Sequence, residues 1–413
     1  MQQRNISFNN FEQCIKCTIC TVYCPVVSVN PAFPGPKQAG PDGERLRLKN
    51  KFFFDENLKF CMNCKRCEVA CPSGVKIADL IHSARRNYDK QFPELRDVVL
   101  ANTDLMGKFA RPVAPLVNSL ISTKPAKVVM DVMLDIDRNR AFPKYQSRGF
   151  RGWFKKEARA AQDRYRNQLA YFHGCSTEYQ HPEVGKAFVQ VMNAVGWGVQ
   201  LLKEKCCGVA MISNGLWSQV ARNANHNIAE FRKAVSRGLP IVATASTCTF
   251  TMRDEYPHIL GIDNADVRDH ITLVEKFLFE KLDAGEIRLV FKNDYRARIV
   301  YHIPCHMEKL GWSIFTEELI RMIPGVSLTV LDSGCCGIAG TYGFKKENYA
   351  SSQAIGKSVF DQINALSPDF VCCECETCKW QIEMSTAYKV YNPIVILAEA
   401  LDLEATAAAN QPR

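Results

Sequence analysis

Short apolar runs recur in one order in two stretches of the chain. In the first stretch they are LAYFHGC (169–175), the run leading into LLKEKCCG (201–208), and LPIVATASTC (239–248). In the second they are RIVYHIPC (298–305), LTVLDSGCCG (328–337) and PDFVCCECETC (368–378). Each run reads as a strand, and the longer segments between them read as helices. Alternating strands and helices predict an α/β unit with mainly parallel strands. The cysteines then fall at strand C-terminal ends and in the loops that follow, where open α/β sheets place their ligands.

The two stretches are copies. Cys175 and Cys305 are 130 residues apart, Cys206 and Cys335 are 129, Cys207 and Cys336 are 129, and Cys248 and Cys378 are 130. One offset held by four cysteines is the mark of internal duplication. The chain of 413 residues therefore divides into residues 1–90, with two further cysteine clusters around a Pro/Gly-rich loop (PAFPGPKQAGPDGERLR); a helical connector over 91–165; and the two copies, 166–285 and 286–413. The fold class expected is a multidomain α+β and α/β chain: a helical ferredoxin-like domain ahead of two duplicated α/β units.

Composition narrows the chemistry. Hydrophobic residues make up 47% and charged residues 23%, as in an ordinary globular protein. There is no apolar run of about 18 residues, so no transmembrane helix is expected. The opening MQQRNISFNNFEQ lacks an apolar segment, so no secretory signal is expected either. With 19 cysteines and no export signal, metal or redox chemistry in a reducing cytoplasm is favoured over disulfides.

The cysteines of 1–90 form two motifs. Cys14, Cys17, Cys20 and Cys24 precede Pro25; Cys61, Cys64, Cys67 and Cys71 precede Pro72. Both read C-x2-C-x2-C-x3-C-P, the bacterial [4Fe–4S] ferredoxin pattern, whose fourth Cys ligates the other cluster. That assigns one cluster to Cys14, Cys17, Cys20 and Cys71, and the second to Cys61, Cys64, Cys67 and Cys24. Zinc, which needs only paired C-x2-4-C units, does not call for two full copies of this pattern.

The second copy offers five thiols: Cys305, Cys335, Cys336, Cys375 and Cys378. Adjacent cysteines diverge too far to chelate one iron but can bridge neighbouring irons, and Gly337 lets the backbone approach closely. The first copy offers Cys175, Cys206, Cys207 and Cys248, with Ala245 where the second has Cys375. It is either a site with altered ligation or a vestigial scaffold.

The pattern C…CCG…C-x-x-C resembles the cysteine-rich domain of heterodisulfide reductase. With FEQCIKCTICTVYCPV, FPGPKQAGPDGERLR, CMNCKRCEVACPSGVKI, YFHGCSTEY, EKCCGVAM, DSGCCGIAGTYGF and ECETC, nearly the whole chain resembles the C-subunit family of anaerobic glycerol-3-phosphate dehydrogenase. The iron–sulfur subunits of glycolate and lactate oxidation share the layout, and a stand-alone heterodisulfide-reductase-like enzyme is a further alternative. The resemblance implies an electron-transfer component at the cytoplasmic face of the inner membrane, peripheral to it. It would take electrons from the flavoprotein A and B subunits and deliver them to membrane quinone. It also implies a third, noncubane [4Fe–4S] cluster on the five thiols, and no chemistry on glycerol 3-phosphate by this chain itself.

The net charge of +9 is uneven: from Arg138 to Arg166 there are ten Lys or Arg and two acidic residues. With no nucleic-acid motif elsewhere, an anionic membrane or an acidic partner is the surface it suits. Phe150, Trp153 and Phe154 lie among these cations, so this stretch is expected to touch the headgroup region. His173, His302 and His306 flank cluster cysteines and read as packed histidines. Cys372 and Cys373 lack counterparts in the first copy and read as spectator thiols. GIAGTYGF does not open a helix after a first strand and is not a nucleotide fingerprint.

Overall fold

The computed structural model describes residues 10–50, 53, 55–88, 93–332 and 334–411. The duplication appears as two four-stranded parallel sheets. The first comprises β1 (Asn167–Phe172), β2 (Trp197–Leu201), β3 (Ile241–Ala243) and β4 (Ile271–Leu273), in the order β2-β1-β3-β4. The second comprises β5 (Ala297–Tyr301), β6 (Val326–Val330), β7 (Phe370–Cys372) and β8 (Val390–Tyr391), in the order β6-β5-β7-β8. The mixed α/β class expected from the apolar runs is the one observed. The fourth strand of each sheet is absent from that expectation, because two or three residues are too few to show a period.

The central strands are largely buried, with only Asn167 and Arg298 exposed, which is why they read as apolar runs rather than alternating ones. In both sheets the strand order reverses beside the first strand, between β1 and β3 and between β5 and β7. Loops leaving those C-terminal ends therefore splay apart and leave a crevice. The units share one core. Tyr171 stacks on Phe188 at 3.9 Å, and the same cluster contains Phe277, Tyr301, Ile394 and Leu397. Hydrogen bonds cross between them as well: Asn392 Nδ2 donates to the Thr244 carbonyl at 2.9 Å.

Two expectations for the N-terminal half are corrected. The Pro/Gly-rich segment is not a loop: it turns helical after Gly35, with a π-helical stretch at Gln38–Asp42 running into helix Gly43–Lys49. A wide π turn accommodates Pro41, whose missing N–H would break a regular α-helix. Gly40 lets this segment lie on Ile77, whose Cγ2 would be 2.9 Å from an added Cβ. Phe150 and Phe154, read as headgroup contacts, are instead core residues, 0% and 3% exposed. Phe150 meets Tyr171 edge-on at 5.7 Å, so the aromatic half of this stretch anchors the connector to the first sheet. No helix among the described residues is long and apolar enough to cross a membrane.

Candidate metal centres

The two ferredoxin motifs fold alike because they repeat at an offset of 47 residues, from Cys14 to Cys61 and from Cys24 to Cys71. Equivalent residues take the left-handed conformation: Lys16 and Asn63 at φ 59° and 55°, and Thr18 and Lys65 both at φ 63°. A left-handed β-branched residue such as Thr18 is costly unless the fold demands it. Here the demand is the tight wrap that turns successive cysteines inward. Short helices then begin at Ile19 and Arg66 and carry Cys20 and Cys67.

Two cavities result. One is lined by Cys14, Cys17, Cys20 and Cys71 with Ile15, Lys37 and Ile77. The other is lined by Cys24, Cys61, Cys64 and Cys67 with Phe33, Met62 and Ile81. Each draws three thiols from one motif and the fourth from the other. Four thiols around one mostly apolar hollow fit an iron–sulfur cluster. Such a group replaces four protons with metal, and without it four buried thiols face one another. Burial first, and then the charge of neighbouring thiols, push the Cys61 thiol up to about 11 and the Cys64 thiol up to about 12. In the first motif Cys17 is exposed, as are Ile15, Val22 and Tyr23, whereas none of the four thiols of the second cavity is exposed.

The five thiols of the second unit also converge. Cys305 follows β5, Cys335 and Cys336 follow β6, and Cys375 and Cys378 follow β7. The Cys336 and Cys378 sulfurs are 3.3 Å apart, and Cys378 also bonds to Cys375. The Gly337 amide donates to the Cys335 sulfur at 3.4 Å. His302 hydrogen-bonds Cys336, and the two share a pocket with Cys378, their ligating atoms all within 4.8 Å. His302 thus touches a site thiol and is more than a packed histidine. The structure also separates the supposed spectators: Cys372 lies in the inter-unit core, whereas Cys373 bonds to Cys378. Successive strand residues point to opposite faces, which explains the split.

The first unit brings its four thiols into a row. Cys175 and Cys206 are 3.8 Å apart, Cys206 contacts Cys207, and Cys207 contacts Cys248. Thr103, from the connector, lies 3.3 Å from the Cys175 sulfur. Nothing in the sequence around Thr103 signals that role. Ala245 occupies the fifth position, with φ −117° and ψ 116° against −114° and 114° at Cys375. His173 is packed: Nδ1 bonds to the Gly174 carbonyl at 2.8 Å and Nε2 accepts from Arg151 at 2.7 Å.

The second ferredoxin loop packs against the helix that opens with Cys305. The charge of Cys64 helps to push the Cys305 thiol up, behind burial, and the Cys335 thiol up, behind its hydrogen bond with Cys336 and burial. His306 Nε2 donates to the Asn63 carbonyl at 3.2 Å and its ring stacks on Phe250 at 4.7 Å. Lys309 pairs with Glu68 at 3.2 Å, and Arg66 with Glu308 at 3.4 Å. From the first unit, Glu255 accepts a hydrogen bond from Asn63. Three parts of the chain thus meet around Asn63, none near another in sequence.

Residues 10–75 match the family model of the 4Fe-4S dicluster domain, and residues 169–253 and 299–383 each match that of the cysteine-rich domain. The C subunit of anaerobic glycerol-3-phosphate dehydrogenase from Escherichia coli (strain K12) is 56% identical over 394 residues, 95% of this chain and 99% of that one. The glycolate oxidase iron–sulfur subunit of the same strain is 24% identical over 95% of this chain and 94% of its own. The D subunit of dihydromethanophenazine:CoB–CoM heterodisulfide reductase from Methanosarcina barkeri is 22% identical over 96% of each.

Proposed function

The chain belongs to the C-subunit family of anaerobic glycerol-3-phosphate dehydrogenase, whose members are iron–sulfur electron-transfer subunits, and from that premise we propose that it carries electrons from flavin-bearing dehydrogenase subunits to a membrane quinone. The observation that carries this reading is the joining of the second ferredoxin loop to the helix that opens with Cys305, through Asn63 to His306 and Arg66 to Glu308. It makes the three thiol sites one continuous series, from the exposed Cys17 to the buried Cys375 and Cys378. Cys14, Cys17, Cys20 and Cys71 would hold one [4Fe–4S] cluster, and Cys24, Cys61, Cys64 and Cys67 a second. Cys305, Cys335, Cys336, Cys375 and Cys378 would hold a third, noncubane one. Bound clusters supply one-electron carriers whose potentials follow charge, hydrogen bonding and exposure. The residues bury the second and third sites more than the first, and the exposed Ile15, Val22 and Tyr23 of the first motif are the surface on which an electron donor would seat.

A second surface supports attachment to a membrane. Helices Thr103–Ala110, Ala114–Ile121 and Lys124–Met133 leave Phe109, Leu116, Val132 and Met133 exposed, at 72%, 69%, 69% and 75%. Lys108, Arg111, Lys124 and Lys127 lie on the same helices or the turn between them. Apolar side chains among cations suit the anionic headgroup region, and helices this short lie on a bilayer rather than span it. Thr103, at the start of this surface, touches Cys175, so on this reading the first unit would face the membrane.

The test is dehydrogenase-to-quinone turnover in the reconstituted complex, with iron analysis and EPR on the same samples. Anaerobically purified chain is expected to hold about 12 iron atoms, from three four-iron clusters. Cys375→Ser should abolish turnover and leave both ferredoxin signals, whereas Cys248→Ser should cost much less. Full turnover in Cys375→Ser would remove the second unit from the path; zinc in place of iron would end the reading.

A further inference from the structure

The first cysteine-rich unit lacks one thiol, yet it keeps the turn that would carry it. That turn faces the other unit. Helix Ser246–Phe250 begins directly after Ala245, and its Ser246 amide donates to the Glu374 carbonyl at 3.4 Å. The next residue, Thr247, places its hydroxyl 3.5 Å from the Cys375 sulfur. Thr377 stands 130 residues after Thr247, at the duplication offset, and its hydroxyl lies 3.2 Å from the same sulfur. Cys375 therefore meets two hydroxyls, one from its own unit and one from the copy.

We infer that Thr247 of the first unit is a tuning residue for the second unit's metal centre, donating a hydrogen bond to the Cys375 sulfur and raising the centre's reduction potential. This rests on the reading that the five thiols hold an iron–sulfur cluster. A metal-bound thiolate carries no proton, so in such a contact the hydroxyl donates and the sulfur accepts. Reduction adds one electron and makes the sulfurs more negative, which strengthens a bond from a fixed donor. Hydrogen bonds to cluster sulfurs are among the factors that set cluster potentials. Cys375 is buried, so water does not replace a lost donor. The same helix ends at Phe250, stacked on His306 beside Cys305. One turn of the first unit thus borders the five-thiol site on two sides, which gives that unit a role that does not depend on its own thiols.

The test is a redox titration of the anaerobic full-length chain, following the EPR signal of the second unit's centre. Thr247→Val removes the hydroxyl at nearly constant volume; Thr247→Ser keeps it. Thr247→Val should lower the reduction equilibrium constant roughly tenfold, a fall of about 59 mV for a one-electron couple. Thr377→Val should shift it in the same direction, Thr247→Ser should match the parent, and the ferredoxin signals should stay in place. Loss of the third centre's iron in Thr247→Val but not in Thr247→Ser would also support the role of the hydroxyl. An unshifted potential in Thr247→Val, or equal iron loss in both variants, overturns the inference and leaves the cluster assignment standing. A parent chain with only about eight iron atoms and no third signal sinks both.

Discussion

Replacing Gly337 with alanine should cost far more than the same change at Gly208, its counterpart in the first unit. Both are the glycine of Cys-Cys-Gly, and both are left-handed, at φ +87° and +90°. The conformational penalty of a Cβ there, about 1–2 kcal/mol, is therefore common to the two. What differs is the neighbour. A Cβ on Gly337 would lie 2.0 Å from the Ser352 carbonyl oxygen and 3.1 Å from the Gly356 nitrogen, both in the backbone of helix Lys346–Leu366. A Cβ on Gly208 would lie 2.4 Å from Val220 Cγ2, a side-chain methyl. Helix backbone gives way only by moving the helix, whereas a methyl shifts within the core, and overpacking costs about 1–3 kcal/mol according to which must yield. We expect about 4 kcal/mol for Gly337→Ala and about 2 kcal/mol for Gly208→Ala. Urea unfolding followed by circular dichroism, with both variants run beside the parent, measures the gap. Iron analysis should show loss at the second unit's centre in Gly337→Ala, because Cys335 and Cys336 immediately precede the displaced residue. Adding Val220→Ala to Gly208→Ala should recover part of its cost. Equal midpoints for the two alanine variants, or a lower one for Gly208→Ala, would refute the reasoning.

Cys71→Ser should alter the EPR signal lost in Cys14→Ser rather than that lost in Cys61→Ser, since Cys71 lines the cavity of Cys14, Cys17 and Cys20; a match to Cys61→Ser would refute the exchanged fourth ligand. Phe109→Ser, Leu116→Ser and Val132→Ser together should abolish sedimentation with anionic vesicles without lowering the unfolding midpoint, because these side chains are exposed; undiminished binding would remove the membrane surface. His82 is buried with neither ring nitrogen hydrogen-bonded among the described residues, and burial holds its pKa well below the usual 6.5. Unfolding therefore takes up a proton below about pH 6.5, so the stability His82 contributes is full above that pH and falls as the medium is acidified. His82→Leu should flatten the acid limb of a stability–pH profile, and an unchanged slope between pH 6.5 and 5 would show that the ring is not held neutral.

Much of this molecule is written locally. The ligand motifs need four cysteines within eleven residues, the duplication shows in a constant offset, and the central strands are buried enough to appear as apolar runs. Each feature depends on neighbours in sequence, and each is legible without coordinates. The elements that escape such a reading are those whose reason is long-range. The segment around Pro41 reads as a loop until Ile77 is beneath it. Phe150 and Phe154, set among cations, read as surface aromatics until the first sheet covers them. Cys372 ends β7 and faces the core, whereas Cys373 just beyond it turns to the thiol site. Thr103, Thr247 and Glu255 carry no motif; each matters because the fold carries it to a thiol site or a ferredoxin loop some 70 to 190 residues away. The sequence alone determined which residues are able to bind metal, since that is a property of side chains and spacing. Tertiary structure decided which sites adjoin and what lies against each sulfur, because such contacts form only when apolar faces distant in the chain are buried together.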